Sequence, residues 1–337
     1  MPARVRLEHA EATSLLTGET LEVKMMSFTV RTQLVDWNVT EAISGAVSSA
    51  SSAQAPPIVL VHGMFGSATE MYQLACALRQ SRPGTPVLCI DLPGHGQSKW
   101  TQYGLDALRA TDGPNMLDLM SEALDALLLD DRIGPCVLVG YSLGARLALS
   151  MCLRDASVDA SDARRGVSNV IQLLTLSGGL GIGTDNPAAR SARVEKDDTI
   201  ARAFESLPRR EFFDSWYGAP LWDSMRAHPG FAKYVVAKAE QTPDPQGILA
   251  ATLRDCSPGR VAPLREALDR WMENESPMNT DIVMMVGDQD ATYLDMASTI
   301  DASKSEYLTL ETVRGAGHAV HLEAPDTVAS LIAQHVP

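Results

Sequence analysis

Residues 137–149 read VLVGYSLGARLAL. An apolar, β-branched run enters Gly140-Tyr141-Ser142-Leu143-Gly144, and an apolar helical run leaves it. The two glycines suit a turn sharp enough to strain the serine backbone and lift its hydroxyl clear of a sheet. Arg146 follows four residues later, a spacing that puts it on the helix face of Ser142. A reactive serine with a guanidinium beside it points to acid–base or acyl chemistry on an anion.

The same rhythm of short strand, glycine turn and helix extends outward. Residues 58–61 end at His62-Gly63, and 87–91 end at Leu92-Pro93-Gly94-His95-Gly96. Residues 171–176, 282–286 and 307–312 supply further strands, with helical patterns at 68–79, 116–129 and 143–152. This alternation predicts an α/β fold, a mostly parallel sheet with helices on both faces. Residues 25–37 alternate as an edge strand with Phe28, Val30 and Val35 as core contacts, and 1–24 read as a helix or a loose arm. The Ser/Ala-rich stretch 44–57 predicts an exposed connection. Strand patterns lapse over about 179–280, which holds Trp216, Trp222 and Trp271 and predicts a helical cap over the sheet's C-terminal edge. The expected layout is an N-terminal arm and linker (1–57), a first core segment (58–178), the cap (179–280) and a second core segment (281–337).

Bulk properties narrow the function. The 337 residues carry 28 Lys and Arg against 42 Asp and Glu, a net charge of −14, which disfavours nucleic acid or an anionic membrane as partner. A cationic pocket would have to work against that field. No apolar run approaches the roughly 20 residues of a membrane span. Five cysteines without a C-x-x-C pair suit a reducing compartment, with Cys89, Cys136 and Cys152 as buried thiols. Glu8, Glu11, Glu19 and Glu22 interrupt any leader-like pattern, so a cytoplasmic or organellar chain is expected, not a secreted one. No spacing of Cys, His and carboxylates suggests a metal site.

A serine hydroxyl needs a histidine to take its proton, and that histidine needs a carboxylate to hold its tautomer. Asp290, in Gly287-Asp288-Gln289-Asp290, and His318, in Gly315-Ala316-Gly317-His318, each follow a strand and come after Ser142 in the chain. Asp288 competes as the acid but stands nearer the strand end. The expected oxyanion donors are the backbone N–H groups of Leu143, at a helix start, and Met64, in the turn after the first central strand. His321 reads as a surface or supporting residue just past the loop, and His62 and His95 as shapers of turns. Arg146 has a competing reading, an ion pair with a cap carboxylate.

The runs GYSLGAR, HGMFG, DLPGHGQS, GDQD and GAGHAVHLE together resemble the α/β-hydrolase superfamily. GYSLGAR, Arg190-x-x-Arg193 with Asp197, and the stretch FDSWYGAPLW at 213–222 are more narrowly similar to the 2-succinyl-6-hydroxy-2,4-cyclohexadiene-1-carboxylate synthases of menaquinone and phylloquinone biosynthesis. That resemblance implies a cofactor-independent lyase acting on a small polyanion with three carboxylates. Proton abstraction by the triad expels pyruvate and leaves a conjugated cyclohexadiene. It implies that Tyr141, Arg146, Arg193, Trp216 and Lys238 bind substrate. Lys238 stands where bacterial members carry arginine, which keeps the charge but loses the fork. The region before residue 58 is longer than in compact bacterial members. The alternatives are a carboxylesterase or carbon–carbon bond hydrolase with the same triad, and a binding protein that has lost turnover.

Overall fold

The computed structural model describes residues 10–18, 20–43, 55–110, 114–153, 166–273 and 280–336. The strands are β1 (Ala10–Thr13), β2 (Thr20–Arg31), β3 (Val35–Ile43), β4 (Ile58–Val61), β5 (Val87–Ile90), β6 (Lys99–Trp100), β7 (Cys136–Tyr141), β8 (Val170–Leu176), β9 (Asp281–Gly287) and β10 (Leu308–Val313). They form one sheet in the order β1-β2-β3-β5-β4-β7-β8-β9-β10, with β6 beside β3. From β5 to β10 every pairing is parallel. The chain order reverses at β4, which lies between β5 and β7, and a crevice at such a reversal is where ligands sit in open α/β sheets.

The central strands are buried on both faces, and their alternation sorts side chains into two cores. Ile58 and Leu60 pack with Leu74 and Leu78 of α1 (Tyr72–Ser81) and with Val328 and Ile332 near the C-terminus. Val59 and Val61 point the other way, onto the second core. There they join Leu119 and Met120 of α3 (Met116–Leu127), which follows α2 (Gln102–Arg109), and Leu147 of α4 (Leu143–Cys152). Period-two burial of this kind is what apolar runs of four to six residues dictate when helices cover both faces.

Two expectations are corrected at the N-terminus. The stretch 25–37 is not one edge strand. Thr32 caps a turn by exchanging hydrogen bonds with Val35, and β2 and β3 run antiparallel through eight register pairs. β3 also pairs with β5, so it lies inside the sheet. Within 1–24 the described residues contain β1 and the start of β2, with no helix; β1 and β2 also pair antiparallel. Hydrogen bonding along a sheet edge organised a segment whose side-chain pattern was weak. Of the expected connection 44–57, residues 44–54 lie outside the described residues.

Between β8 and β9 the described residues form helices without strands: α5 (Pro187–Ser206), α6 (Arg209–Trp216), α7 (Asp223–Arg226), α8 (Phe231–Gln241), α9 (Leu249–Asp255) and α10 (Arg265–Glu273). Phe204, Phe212, Phe213, Tyr217, Trp222 and Tyr234 give this region its own aromatic core, which also takes in Leu16 and Phe65. The chain ends with α11 (Ala291–Ser298), α12 (Val320–Glu323) and α13 (Pro325–His335). No helix among the described residues is long and apolar enough to cross a membrane.

The glycines around Ser142 are demanded by contact. A Cβ on Gly140 would meet the Gly144 carbonyl carbon at 2.6 Å, and one on Gly144 would meet the His62 carbonyl oxygen at 2.5 Å. Gly144→Ala is therefore expected to destabilise the fold by about 1–3 kcal/mol, the usual cost of overpacking. Urea denaturation measures it, and an unchanged midpoint would contradict the close approach.

Candidate active site

Ser142 links β7 to α4 with φ 50° and ψ −106°, a conformation costing on the order of 1–3 kcal/mol unless the surroundings impose it. They do so from both sides. Its N–H donates to the Leu176 carbonyl of β8 at 2.9 Å, and its carbonyl accepts the first helical bond, from Arg146 N–H, at 3.0 Å. Asp290 caps α11, accepting from the Tyr293 N–H through Oδ1 at 3.2 Å. Its Oδ2 lies 2.8 Å from His318 Nδ1, while His318 Nε2 is 3.2 Å from Ser142 Oγ. A carboxylate only accepts, so Nδ1 carries the proton and Nε2 accepts from the serine hydroxyl. Asp288 instead accepts from the Gly315 N–H at 2.8 Å and ties the two loops together. Glu323 braces the histidine loop by accepting from the N–H groups of Gly317 and Ala319.

Met64 and Leu143 border the same cavity as Ser142 and His318. Leu143 is the first residue of α4, where a helix has no internal acceptor for its N–H. The turn carrying Met64 is fixed by Gly66 N–H to the Gly63 carbonyl and by Phe65 at φ 58°. His62 locks it to the next loop: Nε2 accepts from the Leu92 N–H at 2.9 Å, so Nδ1 holds the proton and donates to the Gly63 carbonyl at 2.7 Å.

The cavity encloses about 1070 Å³ between the sheet edge and the helical segment. Arg146 lines it, and Nη2 donates to the Cys256 carbonyl. Its Nη1 is buried with no hydrogen-bond partner, and no carboxylate pairs with the guanidinium among the described residues. Burial pulls its pKa below the ordinary guanidinium value. Arg193 also lines the cavity; among the described residues its Nε is the nitrogen engaged, at 2.8 and 3.0 Å from the two oxygens of buried Asp197. Tyr141 is buried and Trp216 half-buried on the wall. Burial raises the Tyr141 pKa well above its ordinary value, so the phenol stays a neutral donor.

One expected placement is corrected. Lys238 is buried in α8, but its ammonium contacts Glu70 in an ion pair with both side chains 5% exposed, leaving no spare charge for a ligand. Nothing in the local pattern marks Glu70, which lies in the short 3-10 helix Ala68–Met71 just before α1. His321 is not on the surface; it is fully buried against Tyr141 and borders the cavity, which agrees with the supporting alternative. Tyr293 and Trp222, whose rings lie 4.7 and 5.3 Å from that of His318, were also missed; nothing in their spacing marked them. Among the described residues, no group of three or more His, Cys, Asp or Glu side chains is arranged to hold a metal ion.

Three buried imidazoles make the fold sensitive to acid. Burial pushes His62 and His95 down to about 3, and His321 down to about 4. In the unfolded chain each titrates near 6.5. Between those values the unfolded state binds more protons, so stability is full above about pH 7.5 and falls as pH drops below 6.5. Each imidazole is expected to contribute a loss on the order of 2 kcal/mol at pH 5. Denaturant midpoints at pH 7.5 and pH 5 test this, and equal midpoints would contradict it.

Comparison with known proteins gives the site its context. The chain is 30% identical over 282 residues to the Arabidopsis thaliana protein PHYLLO, chloroplastic, covering 81% of this chain but only 15% of the length of that one. It is 29% identical over 279 residues to 2-succinyl-6-hydroxy-2,4-cyclohexadiene-1-carboxylate synthase of Klebsiella pneumoniae, covering 83% of this chain and 93% of the bacterial one. The structure of MenH from S. aureus superposes with a TM-score of 0.65 at 20% identity, over 90% of this chain and 97% of that one. A Rhodococcus 2-hydroxy-6-oxo-6-phenylhexa-2,4-dienoate hydrolase gives a TM-score of 0.60 at 18% identity, over 93% and 99%. The model of the alpha/beta hydrolase family matches residues 58–331, which hold Ser142, Asp290 and His318, and the chain belongs to that family.

Proposed function

We propose that this chain is a 2-succinyl-6-hydroxy-2,4-cyclohexadiene-1-carboxylate synthase, a lyase that expels pyruvate from an enolpyruvyl precursor. The observation that carries the reading is the Arg146 guanidinium, half-buried on the wall it shares with Ser142, its buried Nη1 without a hydrogen-bond partner among the described residues. A buried cation without a carboxylate costs several kcal/mol unless a ligand supplies the counter-charge. With Arg193 on the same wall, the cavity suits a polyanion despite the chain's negative charge. A neutral ester would leave Arg146 Nη1 without a counter-charge, whereas Arg193 already pairs through Nε with Asp197. The names of the bacterial relatives point the same way.

Ser142 Oγ takes the substrate's acidic ring proton as its own proton passes to His318 Nε2, and Asp290 stabilises the imidazolium. Electrons move into the ring, the ether carbon–oxygen bond breaks with its electron pair going to oxygen, and pyruvate leaves as its enolate, which takes the proton held on His318 and leaves the imidazole neutral again. The N–H groups of Met64 and Leu143 hold the oxyanion that develops. Tyr141 and Trp216 shape the wall, and the 179–280 segment acts as the cap that shuts out water. The reading assigns the enzyme to the cytoplasm or a plastid. The test is pyruvate release from the enolpyruvyl precursor, and a rate equal to that of buffer would overturn the proposal. Stoichiometric fluorophosphonate labelling with rapid aryl-ester turnover would favour a hydrolase instead.

A further inference from the structure

The loop after β8 is pinched between two helices. A Cβ on Gly178 would meet the Ala145 Cβ of α4 at 2.7 Å, and one on Gly179 would meet Cε1 and Oη of Tyr293 in α11 at 3.4 and 3.6 Å. Ala145 precedes Arg146, so the loop sets the Tyr293 hydroxyl one residue along from the helix turn that carries the guanidinium. Gly179, Tyr293, Arg146 and Arg193 all line the cavity.

Tyr293 is also fixed to the triad. Its N–H donates to Asp290 Oδ1 at 3.2 Å, and its ring centroid lies 4.7 Å from that of His318. Packing on the imidazole needs only a ring, yet this half-buried side chain carries a hydroxyl that makes no hydrogen bond among the described residues. Burial raises the phenol's pKa above its ordinary value, although the charges of Arg146 and Arg193 pull it down. At neutral pH it is therefore an uncharged O–H donor standing in the field of two guanidinium groups.

We propose that Tyr293 is a further substrate-binding residue, whose hydroxyl donates to a carboxylate held in the cavity by Arg146 and Arg193. A third cation there would repel the other two whenever the cavity lacks its anion, whereas a phenol adds a donor without adding charge. The arginines attract the anion, and the phenol, on a ring lodged against His318, fixes where one carboxylate rests relative to the triad. The inference deepens the proposed function, from which it takes the substrate's carboxylates.

The probe is succinate, which offers two carboxylates and no other polar group, with succinamide as its uncharged counterpart. In calorimetric titrations at fixed ionic strength, the wild-type protein is expected to bind succinate far more tightly than succinamide. Tyr293→Phe keeps the ring on His318; it is expected to weaken succinate about 10-fold, the worth of one hydrogen bond to a charged group, with succinamide binding and melting temperature unchanged. In pyruvate release the same variant should raise KM about 10-fold and leave kcat near wild type, the signature of lost uniform binding. Equal affinity of the wild-type protein for the two probes, or an unchanged succinate affinity in Tyr293→Phe, would overturn the proposal. So would a fall in kcat at unchanged KM, which would place the effect of the phenol on His318, or a lower melting temperature with both probes weakened alike. If pyruvate release is absent but Tyr293→Phe weakens succinate alone, the synthase reading fails by itself. Normal release with KM and succinate affinity unaltered in the variant removes the role of Tyr293 by itself.

Discussion

Ser142→Ala and His318→Ala are each expected to lower turnover by about 10²- to 10⁴-fold, the usual contribution of a positioned acid–base group. Because the hydroxyl and the imidazole move one proton between them across 3.2 Å, they act as a unit. The double variant should lose little more than either single one. Steady-state pyruvate release measures all three. Losses that multiply, or a single variant within 10-fold of wild type, would separate the two groups and remove the proton relay. Neither substitution disturbs the glycine contacts that hold the turn, so the folded state should persist.

Arg146→Met is expected to reduce kcat/KM by about 10²- to 10³-fold, corresponding to about 3–4 kcal/mol for a buried charge–carboxylate contact. Stability of the ligand-free protein is expected to rise, since the side chain forms no ion pair among the described residues and the methionine fills the stem's volume. Arg146→Lys should recover only part of the activity, because an ammonium lacks the planar fork. A large loss of stability with kcat/KM intact would identify the guanidinium as a structural brace for the Cys256 carbonyl. Paired kinetics and thermal unfolding distinguish the outcomes.

Much of this was legible in the sequence because it depended on local order. Short apolar runs before glycine turns announced the parallel strands, and Ser142, Asp290 and His318 each sat where a strand gives way to a loop. The misses share a cause. The two strands between residues 20 and 43 gain their pairing from backbone groups across the sheet, which leave little trace in side-chain pattern. Lys238 kept its expected charge but lost its expected task to Glu70, 168 residues away in sequence. Spacing along a helix cannot reveal a partner contributed from another layer. His321, expected as a surface or supporting residue, takes the supporting place against Tyr141.

Phe65 ties the turn beside Ser142 to the aromatic core of the helical segment. At φ 58° it occupies the turn whose neighbour, Met64, borders the reacting serine, yet its ring is wedged among the rings of Phe204, Phe212 and Trp216, at 4.7, 5.2 and 5.2 Å. A substitution that thins those aromatic neighbours would therefore reach the turn beside Ser142 without touching the cavity wall itself.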